Sequence, residues 1–318
     1  MLHLFNGDAA AGVGLRAGLP GEVAVWADTL DQGPLPSHLD GPALREARAQ
    51  SFAASEGGYG SLDEIRAQAS RWSAALAMAA EHAEVVLWFE HDLCCQLALL
   101  HHLDALASHP GVFLVCIGAH PAVARFRGLS QLDGGQLGEL FSGRAAVTPP
   151  QRALARVAWN AVRAASPAEL WRLAQRDSPA LPFLGPALRR LLEEYPDARG
   201  LSRTEAQILT AAAERPGKVG ELFVRCSEQE AVPYLVDAAF AALCRELAGE
   251  PHALLRLSGA EGPRLLDQLV RLTALGRHVI AGAANRTELR GIDRWIGGVH
   301  LTSSTPRYFR DGDSLIGC

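Results

Sequence analysis

Short apolar runs alternate along the chain with longer segments of helical spacing. The runs are residues 2–6 (LHLFN), 23–27 (VAVWA), 84–90 (EVVLWFE) and 112–118 (VFLVCIG). Each is continuously apolar rather than alternating, the pattern of a strand covered on both faces of its sheet. Between them, residues 9–18 predict a short helix, and residues 41–54 and 61–82 have helical spacing. A further helix after Asp92 places Leu93, Leu97, Leu100, Leu103 and Leu106 on one side and stops at His109-Pro110-Gly111. The order β-α-β-α-α-β-α-β over residues 1–118 predicts an α/β fold, a doubly wound, Rossmann-like parallel sheet. Residues 128–150 are expected to be a connection ending in Thr148-Pro149-Pro150.

The second half changes character. Residues 150–195 are helical in pattern, punctuated by Pro167, Pro182 and Pro186. Residues 203–214 predict a helix with Ser202 as cap and Glu205 at the capping-box position. Residues 221–226 and 231–248 are further helix candidates, 253–257 a strand, and 271–282 a β-hairpin with Gly276 in its turn. That order is the order of a winged helix. The expected domains are therefore 1–148, Rossmann-like α/β; 149–200, a helical connector; and 201–318, a winged-helix-like α+β domain.

Composition narrows the classes. The chain has 318 residues, 48% hydrophobic and 20% charged, which excludes a disordered chain, a collagen and a small disulfide scaffold. Residues 1–150 carry 16 acidic and 8 basic side chains, and residues 151–318 carry 19 and 22. An acidic first half repels phosphate backbones, and the second half is too weakly basic to argue for nucleic acid as a partner. The helix that would enter a DNA groove, within 231–248, carries Asp237 and Glu246 against Arg245. Lys218 is the only lysine among the basic residues, a coding bias rather than a functional signal. The N-terminus lacks the features of a signal peptide, and no apolar run is long enough for a membrane. The six cysteines, Cys94, Cys95, Cys116, Cys226, Cys244 and Cys318, include no CxxC spacing. Reduced thiols, a cytoplasmic location and no membrane partner are expected.

Chemistry is expected at the carboxyl ends of the strands, where open α/β sheets bind ligands. Three runs end in polar clusters: Asn6-Gly7-Asp8, Asp28 with Thr29, and Glu90-His91-Asp92. Gly7 allows a tight turn into a helix whose free N–H groups suit a phosphate or carboxylate. Asp8 would repel a phosphate unless a cation intervened, and as a helix N-cap it would be purely structural. Asp28 is placed to accept a hydroxyl, or to form the turn before Gly33-Pro34. Glu90, His91 and Asp92 suit acid–base work or a divalent ion, with Gln96 one turn further on, and Asp92 is equally placed to cap the helix that follows. Arg45, Arg48 and Arg71 are the guanidinium groups that could reach this rim. The glycines form neither a GxGxxG fingerprint nor a Walker loop, and HExxH and GxSxG are absent. His101, His102 and His109 suit structural roles. The Cys94-Cys95 pair suits either an activated thiol at a helix start or plain burial.

Three stretches together carry a family resemblance: LHLFNGDAAAG, GEVAVWADTLDQGPLP and EVVLWFEHDLCCQL. They resemble the bacterial domain of unknown function 1835 family, whose members read approximately HxxNGDS, WxDxLxEGP and WFEHDLxDQL. GLSRTEAQIL, LTALGRHVIAG and GIDRWIGGVHL are similar to that family's usual C-terminal partner region. The likeness covers most of the chain and implies shared architecture, but brings no activity with it. The family pattern falls on Asn6, Gly7, Asp8, Asp28, Gly33, Pro34, Glu90, His91, Asp92 and Gln96. The chain departs from it at Ala9, Gln32 and Cys95, where Ser, Glu and Asp are usual. Trp295, also within the pattern, is expected to anchor the core.

The sequence therefore leaves three functional classes open and decides no reaction, so whether the protein is an enzyme stays open. The first is a protein that binds or acts on a small phosphorylated or nucleotide-like ligand at the strand ends, with or without a divalent metal. The second is a transcription regulator with an N-terminal sensor and a C-terminal winged helix. The third is a non-catalytic module that binds a protein partner, its rim residues serving only as caps.

Overall fold

A computed structural model describes residues 1–55, 59–259, 265–303, 308–312 and 314–317. Cys318 lies outside the described residues. The first lobe runs β1 (Leu2–Phe5), α1 (Asp8–Arg16), β2 (Glu22–Val25), α2 (Gly41–Ala54), α3 (Leu62–Ala77), β3 (Val85–Glu90), α4 (Leu93–Ala105), β4 (Val112–Ile117), α5 (Gly134–Ser142) and β5 (Ala145–Ala146). The fold is mixed α/β. Its main sheet has five strands in the order β2-β1-β3-β4-β5, parallel except for β5.

Both faces of the central strands β1 and β3 are covered, which is why these are mostly apolar and buried. Leu2, Leu4, Val85, Leu87 and Phe89 face one core with the leucines of α4. Phe5, Val86, Trp88 and Val115 face the other with Ala10 and Val13 of α1 and Leu137 of α5. Residues 128–150 do more than connect. Asp133 and Gln136 form a capping box that starts α5, and β5 adds an antiparallel edge strand.

The helices α6 (Pro149–Arg163), α7 (Ala168–Ala174) and α8 (Leu184–Leu192) pack on the α4 face and share its core. A second core forms among α9 (Arg203–Glu214), β6 (Gly217–Lys218), α10 (Val219–Glu228), α11 (Asp237–Ala248), β7 (Leu255–Ser258), β8 (Leu269–Leu272), α12 (Ala274–Ile280) and α13 (Arg286–Arg290). Its antiparallel sheet has the order β6-β8-β7. Two hairpins follow, β9 (Asp293–Ile296) with β10 (Val299–Thr302), and β11 (Tyr308–Asp311) with β12 (Ser314–Gly317).

The hairpin expected over residues 271–282 is instead a strand end followed by α12. Thr273 caps that helix by accepting the Gly276 N–H at 2.9 Å. Gly276 is required for proximity rather than for a turn, because a Cβ there would lie 2.4 Å from the Leu254 carbonyl oxygen. Trp295 is no core anchor either: it is half-buried, stacked on His300 with ring centroids 4.4 Å apart. No helix among the described residues is long and apolar enough to cross a membrane.

A buried ion cluster ties the second core to the β9–β10 hairpin. Glu205 on α9, 1% exposed, pairs with Arg286 Nε at 3.0 Å and Arg294 Nη2 at 2.8 Å. Burial pushes this carboxyl up, but the two guanidinium groups and the Ser202 N–H outweigh burial and hold it at about 2. A carboxyl held low stabilises the fold above its ordinary pKa and loses that contribution as pH falls toward 2. Glu205→Gln should cost about 3 kcal/mol at neutral pH, because it leaves two buried guanidinium groups sharing the more exposed Glu246. Urea denaturation should show that deficit shrinking steadily below pH 4.5.

Candidate functional site

The strand order places β1 beside β3, with α1 leaving β1 on one face and α4 leaving β3 on the other. At such a reversal the two connections diverge and leave a crevice at the strands' carboxyl ends. Asn6-Gly7-Asp8 and Glu90-His91-Asp92 lie on the two sides of this crevice.

Gly7 sits at φ 125°, ψ 145°, a conformation that favours glycine, and is the N-cap of α1. Asp8 is therefore not the cap but the first helical residue, exposed and favourably placed near the positive end of the helix. No side chain caps the α1 N-terminus. Asn6 reaches across to α4, donating Nδ2 to Cys95 Sγ at 3.2 Å.

On the β3 side, Asp92 caps α4, its Oδ1 accepting the Cys95 N–H at 2.9 Å. Glu90 is half-buried: Oε1 accepts the Leu129 N–H, and Oε2 accepts the Cys95 thiol at 3.5 Å. Burial and the neighbouring Asp92 push its carboxyl up to about 7, against the Leu129 and Cys95 hydrogen bonds. Glu90, Asp92 and Cys95 bring one candidate ligand atom each within 4.8 Å of one another. Among the described residues this is the only group of histidine, cysteine and acidic side chains close enough to hold an ion.

Gln96 is buried and donates Nε2 to the Glu90 carbonyl at 2.6 Å and to Cys116 Sγ at 3.5 Å. It fixes the end of β3. His91 lies against the rings of Phe126 and Phe183, 6.1 and 5.9 Å between centroids, and its buried Nδ1 has no partner among the described residues. Burial lowers its pKa despite Asp92, which favours neutral imidazole. The thiols of Cys94 and Cys95 are pushed well up by burial first and by nearby carboxylates second, so neither is an activated nucleophile.

Asp28 stands apart from the other rim residues. Arg48 from α2 binds it bidentately, Nη2 to Oδ1 at 2.6 Å and Nε to Oδ2 at 3.0 Å, and also donates to the carbonyls of Thr29, Gln32 and Pro34. Arg45, Arg48 and Arg71 all line a cavity of about 1180 Å³ beside the end of β2. Asp28 borders it, whereas Asn6, Asp8, Glu90 and Asp92 do not. His101 and His102 pack with Trp26 in an aromatic cluster. Burial first, then Arg163 and Arg48, lowers the His101 pKa to about 4, and burial first, then His101, lowers that of His102 to about 3. His109 holds the His82 carbonyl through Nε2.

Two contributors escape a reading of the sequence. Leu129 supplies a backbone donor from a segment that carries no motif. Cys95, read as an activated thiol or a buried residue, instead stands beside Glu90 and Asp92. No protein-family model matches this chain, and none of the curated proteins matches it.

Two outcomes follow from this geometry. Gly7→Ala should destabilise by about 1–2 kcal/mol in chemical denaturation, because the positive φ is strained for any L side chain. Glu90, held above its ordinary 4.5, should cost the folded state increasing stability as pH rises from 4.5 to about 7. Glu90→Gln should remove that slope, measured as the difference in denaturation midpoint between the two proteins across this window.

Proposed function

We propose that the β1–β3 crevice binds a small phosphorylated or nucleotide-like ligand, with Glu90, Asp92 and Cys95 able to hold a divalent cation beside it. One observation carries this reading: the two polar clusters meet where adjacent parallel strands send their helices to opposite faces. The α1 N-terminus offers amides that no side chain caps, suited to an anionic group. Two carboxylates nearby would repel that anion, and a cation between them resolves the conflict. A thiol beside carboxylates suits zinc better than magnesium. Glu90, titrating near neutrality, suits a proton donor or acceptor once a ligand is in place.

In the same reading the first lobe is a Rossmann-like doubly wound domain, and α9 to β8 form a winged-helix-like unit turned inward. Residues Ala239, Ala242 and Glu246 of α11 border a cleft shared with Asp31 and Ser55 of the first lobe. A helix so placed favours packing within the protein over contact with DNA. The likeness to the domain of unknown function 1835 family supports this architecture through the three N-terminal motifs.

A thermal-shift panel of zinc, manganese, nucleotides and sugar phosphates tests the proposal on wild type and Asp92→Asn. Asparagine preserves the helix cap, so the variant should fold. A ligand at a hundred times its Kd should add about 2.7 kcal/mol and several degrees of Tm. The shift should vanish in Asp92→Asn, and a panel without any shift in wild type overturns the reading.

A further inference from the structure

A second cleft, of about 600 Å³, opens between the turn at Asp31–Gly33, the end of α2, and the α11 and β9–β10 segments. That volume falls within the range of small-molecule sites. Its walls carry the rings of Phe52, Tyr59, Tyr234 and Trp295. Most of the charges bordering it are already matched. Glu194 pairs with Arg190 at 2.6 Å. Glu246 pairs with Arg286 and Arg294, and Asp293 bonds to His300 at 2.6 Å.

Asp31 is the exception. Its Oδ1 is buried and has no hydrogen-bond partner among the described residues, and its Oδ2 receives a long bond from Gln32 Nε2 at 3.4 Å. Arg48, the nearby cation, is committed to Asp28 and three carbonyls. An unpaired buried carboxyl is costly, and no cation among the described residues bonds to it.

We propose that this cleft is a binding site for a small organic cation, an ammonium or guanidinium group that meets Asp31 while its apolar part lies among Tyr59, Tyr234 and Trp295. Aromatic walls around a single carboxylate are the usual surroundings of such cations. The site is separate from the β1–β3 crevice: none of Glu90, Asp92 and Cys95 lines it. The proposal does not rest on a phosphate or a metal binding there.

The surroundings of Asp31 bear on its protonation. Arg48 from α2, Asp92 and Cys94 at the start of α4, Tyr59, and Tyr234 ahead of α11 are the titratable groups that act on it or feel it. Burial first, then Asp92, raises its pKa against its own backbone N–H, Gln32 and Arg48. A cation meeting Asp31 favours its carboxylate form, so any proton the carboxyl holds passes to the buffer, and the ammonium and carboxylate remain as an ion pair. No bond to carbon forms or breaks.

Isothermal titration of the full chain with butylammonium, phenethylammonium and butylguanidinium tests the site, with EDTA present so that no metal takes part. Phenethyl alcohol and phenylpropanoate serve as neutral and anionic controls. At least one cation should bind, and the controls should not. Asp31→Asn should weaken binding more than about tenfold. Its Tm should equal or exceed wild type, since an unpaired buried acid has been removed. Equal binding of the alcohol, undiminished binding to Asp31→Asn, or no binding of any cation at millimolar concentration overturns the proposal. Asp92→Asn should leave cation binding in place, which separates failure at the crevice from failure here.

Discussion

The buried guanidinium of Arg48 is the constraint on which the carboxyl end of the first lobe depends. Residues 28–36 have no regular secondary structure, and their backbone groups need partners from elsewhere. Arg48, 3% exposed, satisfies three of their carbonyls and the Asp28 carboxylate together. A buried cation is tolerable only when its donors are this fully used. The same segment is then fastened twice more. The Leu35 N–H donates to the Gly297 carbonyl in the β9–β10 turn at 2.9 Å. Arg163 of α6 donates to the carbonyls of Pro36 and Leu39 and pairs with Asp40 at 2.8 Å. Through this turn the β9–β10 hairpin is bound to the first lobe, and the cleft beside Asp31 acquires walls from both.

The crevice between β1 and β3 has a different origin. It exists because β1 pairs with both β2 and β3, so that successive helices must go to opposite faces. Hydrogen bonds then converge on a small volume: Asn6 to Cys95, Cys95 to Glu90 and to Asp92, Leu129 to Glu90. Glu90 is the point of tension in this network. It is half-buried, close to a second carboxylate, and compensated only by neutral donors. The result is a carboxyl that titrates near neutrality rather than one locked as an anion. Glu205, equally acidic by type but faced by two guanidinium groups, is driven the opposite way. The contrast shows partner charge, not burial alone, deciding the state of a carboxyl in this fold.

Much of the first lobe was legible along the chain. Continuous apolar runs marked β1 to β4, most firmly β1 and β3, which are covered on both faces. Local chemistry also marked ends correctly: Asp92 and Ser202 cap the helices they precede. Gly7, by contrast, took the cap position that Asp8 appeared to hold, since the cap is defined by backbone dihedrals and not by the nearest oxygen. Local pattern failed at residues 271–282, where Gly276 has the residue type of a turn. There a carbonyl from Leu254 approaches so closely that only glycine fits within a helix.

Sequence alone determined the strand-forming runs, the main helices of the first lobe and the candidate rim at Asn6, Asp8, Glu90 and Asp92. Tertiary structure decided which of those groups have partners. Asp28 and Asp31 stand three residues apart in one turn and are equally acidic by sequence. One meets Arg48 from α2, and the other ends in a cleft bordered by α11 and β9. Nothing in the spacing of the turn distinguishes them, because the groups that do so arrive from distant parts of the chain. Periodicity reports which face of an element is buried; only packing reports what charge lies opposite.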